Sequence, residues 1–197
     1  MFIQDHFIYK RRPHKRAAFS LIEAAIVLGI VGLVIGGLWV AASKAMDSLK
    51  VTQIKEELLA NVQKIRKLAA GNCIPHASGM TQTLYDMGII RADQFDAAWP
   101  QMRLGMSYEG EPTGLVFDML DPSGNGGCAQ HLALNFNGVP VNLCVELGTQ
   151  LSAVLKSDFI SFETLHGGNY YNFTNFPLSP SDITQYCGGG MGIVIKL

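Results

Sequence analysis

The sequence predicts an α+β protein in which a long N-terminal helix packs on an antiparallel sheet. Three observations lead there. Residues 19–42 form an apolar run of 24 residues with Glu23 as its single charge. A helical stripe continues beyond it, and after Gly71 the chain breaks into short alternating segments separated by glycine-rich turns.

Residues 1–18 carry five basic groups (Lys10, Arg11, Arg12, Lys15, Arg16) and one acid, Asp5, without a helical or strand period, and read as a leader. Residues 19–42 as a helix would be about 36 Å long, against a bilayer core of about 30 Å, so this half can span a membrane. A carboxylate in such a segment costs roughly 2.5–3.5 kcal/mol near the bilayer centre and less towards an edge, and usually has a partner. Glu23 lies near one end, about 6 Å along the helix from Phe19. The basic cluster holds the preceding residues in the cytoplasm, which sends everything after the run to the other side. Gly32 and Gly36 give the run a GxxxG spacing that admits a second helix at close range, although glycine is common in membrane helices anyway.

Residues 43–70 are the amphipathic half. Val51, Ile54, Leu58, Val62, Ile65 and Ala69 recur at helical spacing, opposite Lys50, Lys55, Glu56, Gln63, Lys64 and Lys67. Gly71 and Pro75 end the pattern, so one helix of about 52 residues is predicted from Phe19 to Ala70. Residues 71–197 form the globular head. A short helix is predicted over 81–90, and two-residue alternation predicts strands at 102–109, 115–119 and 132–136, the last closed by a turn at Asn137-Gly138. Residues 121–127, DPSGNGG, are turn chemistry rather than a calcium loop, lacking the alternating oxygen ligands and the closing Glu. Residues 141–156 predict a helix with Cys144, Leu147, Leu151 and Leu155 on one face. Strands follow at 159–165 and 193–197, the latter central. Between them, 166–182 reads as an exposed loop; Tyr170, Tyr171, Phe173 and Phe176 either form an adaptable recognition surface or turn inward onto the sheet.

Of 15 Lys+Arg and 16 Asp+Glu, the leader holds five and one, leaving 10 and 15 beyond it and a formal charge of −5, which does not suggest a nucleic-acid partner. No serine elbow, zinc-protease helix, phosphate loop or dinucleotide fingerprint is present, so no catalytic residue, cofactor or metal ligand is assigned and an enzyme is not expected. Cys73, Cys128, Cys144 and Cys187 all follow the apolar run. An even count in an oxidising compartment reads as two disulfides, for which three connectivities exist.

The tract KRAAFSLIEAAIVLG resembles the processing and assembly motif of type IV prepilins: a basic leader, a small residue, Phe19, three residues, Glu23, then an apolar helix. The resemblance covers about the first quarter of the chain, and Ala18 stands where the family usually has Gly. It implies a pilin fold, cleavage between Ala18 and Phe19 by a prepilin peptidase, methylation of the Phe19 amine, and pairing of Glu23 with the amine of a neighbouring subunit during assembly. The helix from 141 with its cysteine, followed by a cysteine just before the last strand, looks more like type IVb subunits, whereas Phe19 is more typical of type IVa. The type IVb likeness implies Cys144 joined to Cys187, with Cys73 and Cys128 as the other pair. The implied partners are the peptidase, identical or related pilin subunits and the inner-membrane assembly machinery, with any surface ligand unknown. The implied location is the inner membrane with a periplasmic head, then an extracellular pilus. The function implied is a structural pilin; the alternatives are a minor tip adhesin or binding module of such a pilus, and a type II secretion pseudopilin.

Overall fold

The computed structural model describes residues 20–197, which fall into two units, 20–45 and Met46–Leu197. Helix α1, Leu21–Ala69, runs through both. It remains helical across Gly29, Gly32, Gly36 and Gly37.

In the first unit every described residue is exposed. In the second, the rest of α1 turns Val51, Ile54, Leu58, Val62 and Ile65 into the core, the stripe predicted from spacing. Asn61 is buried among them and donates from Nδ2 to Met102 Sδ at 3.7 Å. Near the end of α1, Arg66 donates to the Lys196 carbonyl at 2.7 and 3.2 Å and pairs with Asp158 at 3.0 Å, holding the last helical turn to the end of the final strand.

The strands are β1 (Phe95–Asp96), β2 (Gln101–Tyr108), β3 (Glu111–Leu120), β4 (His131–Val139), β5 (Phe159–His166), β6 (Asn169–Phe173) and β7 (Gly189–Lys196). They form one antiparallel sheet in the order β1-β2-β3-β4-β7-β5-β6, which places the last strand in its interior. One face is apolar by alternation: Leu115, Phe117 and Met119 pair with Phe136, Leu134 and Leu132, which pair in turn with Met191, Ile193 and Ile195. The other face carries half-buried or exposed residues such as Arg103, Asp118, Asn135 and Lys196. Helices α2 (Thr81–Asp86), α3 (Val141–Leu155) and α4 (Pro180–Ile183) complete the head, and Leu84, Leu143, Leu147, Leu151 and Ile183 join the α1 stripe and the apolar sheet face in a single core.

Three expectations are corrected. Asn137-Gly138 is not a closing turn: β4 continues to Val139, and Gly138, at φ +62°, sits where the register with β7 shifts between Phe136 and Val139. Nor is 166–182 a loop throughout. Gly167 and Gly168, both at positive φ, close a hairpin, and residues 169–173 are the edge strand β6. The helix predicted over 81–90 is shorter, ending at Asp86.

Candidate functional site

Chemistry at the start of α1 begins with Ser20. The Ile22 amide donates to its hydroxyl at 3.3 Å and the Ala24 amide to its carbonyl at 3.2 Å, while the Ser20 amide donates to Glu23 Oε2 at 3.1 Å. Glu23 therefore reaches back over the first turn as the acidic half of a capping box, satisfying a backbone donor and placing negative charge at the positive end of the helix dipole. The S-x-x-E spacing that marks such a cap is present in the sequence, but the reading of Glu23 as a buried charge in search of a partner passed over it. Among the described residues Glu23 Oε1 accepts no hydrogen bond. Ala18 and Phe19, the predicted cleavage and methylation positions, lie outside the described residues.

Beyond Glu23 the helix surface is apolar and bare. Leu21, Leu33, Leu38 and Trp39 are 88, 80, 65 and 78 % exposed. A Cβ placed on Gly29, Gly32, Gly36 or Gly37 would meet nothing within 4 Å. The helix is long and apolar enough to cross a membrane. In water a contiguous apolar surface of this kind needs a cover, either lipid or other helices.

Two disulfides hold the head. Cys144, in the first turn of α3, is bonded to Cys187, which directly precedes the glycines opening β7, and both are buried. Cys73, just after α1, is bonded to Cys128, just before β4; here both residues are exposed. The second bond lies in a small backbone splice in which the Ala129 amide donates to the Ile74 carbonyl at 2.6 Å.

The 121–127 segment is a closed turn. Asp121 Oδ1 accepts from the Ser123 amide at 2.8 Å and the Ser123 hydroxyl at 2.6 Å, and Oδ2 accepts from the Gly127 amide at 2.8 Å. These donors, the Ser123 hydroxyl first, hold the Asp121 carboxyl below the usual carboxylate range. With its oxygens so used, the residue is occupied as a loop organiser rather than held open for a cation. His76 Nδ1 accepts from the Asp121 amide at 3.2 Å, and its neighbour in sequence, Cys73, is committed to a disulfide. Among the described residues no three His, Cys, Asp or Glu side chains gather as metal ligands.

The aromatic run at 170–176 divides by strand alternation. Tyr171 and Phe173 turn to one face and pack on Tyr186, with ring centroids 4.4 and 5.6 Å apart, and Phe176 meets Phe159 edge-on at 4.6 Å. Only Tyr170, 79 % exposed, remains free for contact. The recognition-loop reading thus loses three of its four aromatics to packing.

No protein-family model matches the chain, and no curated protein is significantly similar to it.

Proposed function

We propose that this chain is a type IV pilin-like structural subunit. Residues 19–42 anchor it in the inner membrane, a prepilin peptidase removes 1–18 and methylates Phe19, and the subunit then joins identical or related chains in a surface filament. The head occupies the oxidising side, where its disulfides persist. The chemistry is polymerisation, not catalysis.

The observation that carries this reading is the fully exposed first unit, whose stretch from Leu21 to Ala42 is apolar but for the Glu23 carboxylate near its start, on a chain whose head is otherwise well packed. A plain membrane anchor needs the carboxylate only to cap its first turn. A filament subunit also uses its charge, because the carboxylate can take up a neighbour's amine while the apolar surface passes from lipid to helix-helix contact.

Mass spectrometry of filaments sheared from the native cell tests it. The expected result is an N-terminal peptide beginning at methylated Phe19. Recovery only from membranes, with Lys10 to Arg16 retained, would make the chain an ordinary single-pass membrane protein.

A further inference from the structure

Strand β7 lies between β4 and β5, yet it is entered through three consecutive glycines, Gly188, Gly189 and Gly190. Glycine weakens a strand and often marks the close approach of a ligand or another backbone. At Gly189 internal packing explains the choice, because a Cβ would lie 2.8 Å from the Leu165 carbonyl oxygen. At Gly188 a Cβ would meet Tyr108 Oη at 3.2 Å, Val141 Cγ2 at 3.5 Å and His166 Nδ1 at 3.6 Å. The glycine keeps a phenol and an imidazole together over bare backbone.

These glycines line a groove of about 1030 Å³, bounded by the tip of the β2–β3 hairpin and the β5–β6 turn. Its walls carry the Trp99 indole, 76 % exposed, and the Tyr108 phenol. Hydrogen-bonding capacity comes from the amides of Gln101 and Asn137 and the carboxylates of Glu109 and Glu111. The Gln101 amide lies in the space that a Cβ on Gly114 would fill, so a second glycine seats it. The neighbouring Glu109 charge, with burial and a hydrogen bond to the same carboxylate, raises the Tyr108 phenol above its usual value. No Lys or Arg lines the groove, and of its three carboxylates Asp96 is already paired with Arg103 at 2.9 Å.

From this juxtaposition we infer that the groove binds a neutral oligosaccharide. An exposed aromatic plate covers the C–H face of a sugar ring, and planar amides and carboxylates meet adjacent hydroxyls in pairs. The lack of cationic lining disfavours phosphate, sulfate or sialic acid. The volume is at the upper end of the roughly 300–1,000 Å³ of small-ligand sites, enough for a few sugar residues. The site belongs to the head alone, so it stands or falls apart from filament assembly.

The test uses full-length protein in detergent micelles on an array of neutral hexose- and N-acetylhexosamine-terminated oligosaccharides, their sialylated and sulfated counterparts, and oligolysine. Saturable binding to a subset of the neutral chains is expected, weakened about tenfold or more by Trp99→Ala and by Asn137→Ala. Both residues are exposed, and unchanged thermal unfolding confirms that the variants fold. Absence of neutral-glycan binding, preference for the sialylated or sulfated chains, or binding that both variants leave unchanged would overturn the inference. Binding to oligolysine alone would also overturn it, by reassigning the groove to cationic peptides.

Discussion

Gly148 of α3 sits so close to Phe162 of β5 that a Cβ on it would lie 2.8 Å from the ring Cζ and 3.0 Å from Ile183 Cδ1. Phe162 is fully buried and cannot swing clear. Helix propensity alone favours Gly148→Ala by about 1 kcal/mol, whereas overpacking a fitted core costs about 1–3 kcal/mol. We expect a net destabilisation of about 1 kcal/mol in urea unfolding of the micelle-bound protein. The loss should shrink when Phe162→Leu is added, and a stabilised single variant would show that α3 is free to move outward.

The Asp121 turn gives the head an acid-sensitive element. The folded carboxyl titrates below its unfolded value of about 3.9, because the Ser123 hydroxyl and the Ser123 and Gly127 amides favour the ionised form. Above the unfolded value both states are ionised and the stabilisation is complete. As pH falls, the unfolded chain takes up the proton first, and the contribution is gone once pH passes below the folded value. Protection of the Ser123 and Gly127 amides, measured relative to their intrinsic exchange rates, should therefore fall at acid pH in the parent chain. Ser123→Ala raises the folded value, so the loss of protection should be smaller and complete at a higher pH; a loss of unchanged size would locate the acid sensitivity elsewhere.

The disulfides are separated by 43 and 55 residues, and the chain-entropy model gives each about 4 kcal/mol, so loop length does not rank them. Burial does. Cys144 and Cys187 are 0 and 2 % exposed, while Cys73 and Cys128 both lie at the surface. Thiol attack needs access, so graded dithiothreitol followed by alkylation and peptide mapping should label Cys73 and Cys128 first. Cys187→Ser removes the buried bond and leaves the head protease-sensitive. Labelling of Cys144 before Cys73 would mean that α3 opens more readily than the connector after α1.

What the sequence disclosed and what it concealed follow from the range of the interactions. The α1 stripe and the apolar faces of β3, β4 and β7 repeat at the period of their own element, so Val51 to Ile65 and Leu115 to Met119 are legible without a partner. Gly148 is different. Read locally it weakens a helix, and only the ring of Phe162, on a strand of the sheet, explains it. Gly138 likewise looks like a turn until its neighbour strands show a bulge. Tyr171 and Phe173 were hidden among Asn and Gly in a short edge strand, whose composition is that of a loop. The groove was not legible at all, since Trp99, Tyr108, Asn137 and Gly188 come from four separate segments.

Glu23 has two roles to separate, a hydrogen bond to the Ser20 amide and a charge available to a neighbouring subunit. Glutamine serves at the third helical position of a capping box nearly as well as glutamate, so Glu23→Gln preserves the cap and removes only the charge. Glu23→Ala removes both, and loss of a cap costs about 0.5–2 kcal/mol. If the carboxylate only closes the first helical turn, Gln should assemble into filaments as the parent chain does and Ala should be impaired. If it attracts the Phe19 amine of a neighbour, both variants should reach the membrane at parental levels, both should be missing from sheared filaments, and Gln should be no better than Ala. The proposed assembly role predicts the second pattern. Quantifying each variant in membrane and filament fractions by immunoblot distinguishes the two, and parental filament levels for Glu23→Gln would reduce Glu23 to a helix cap.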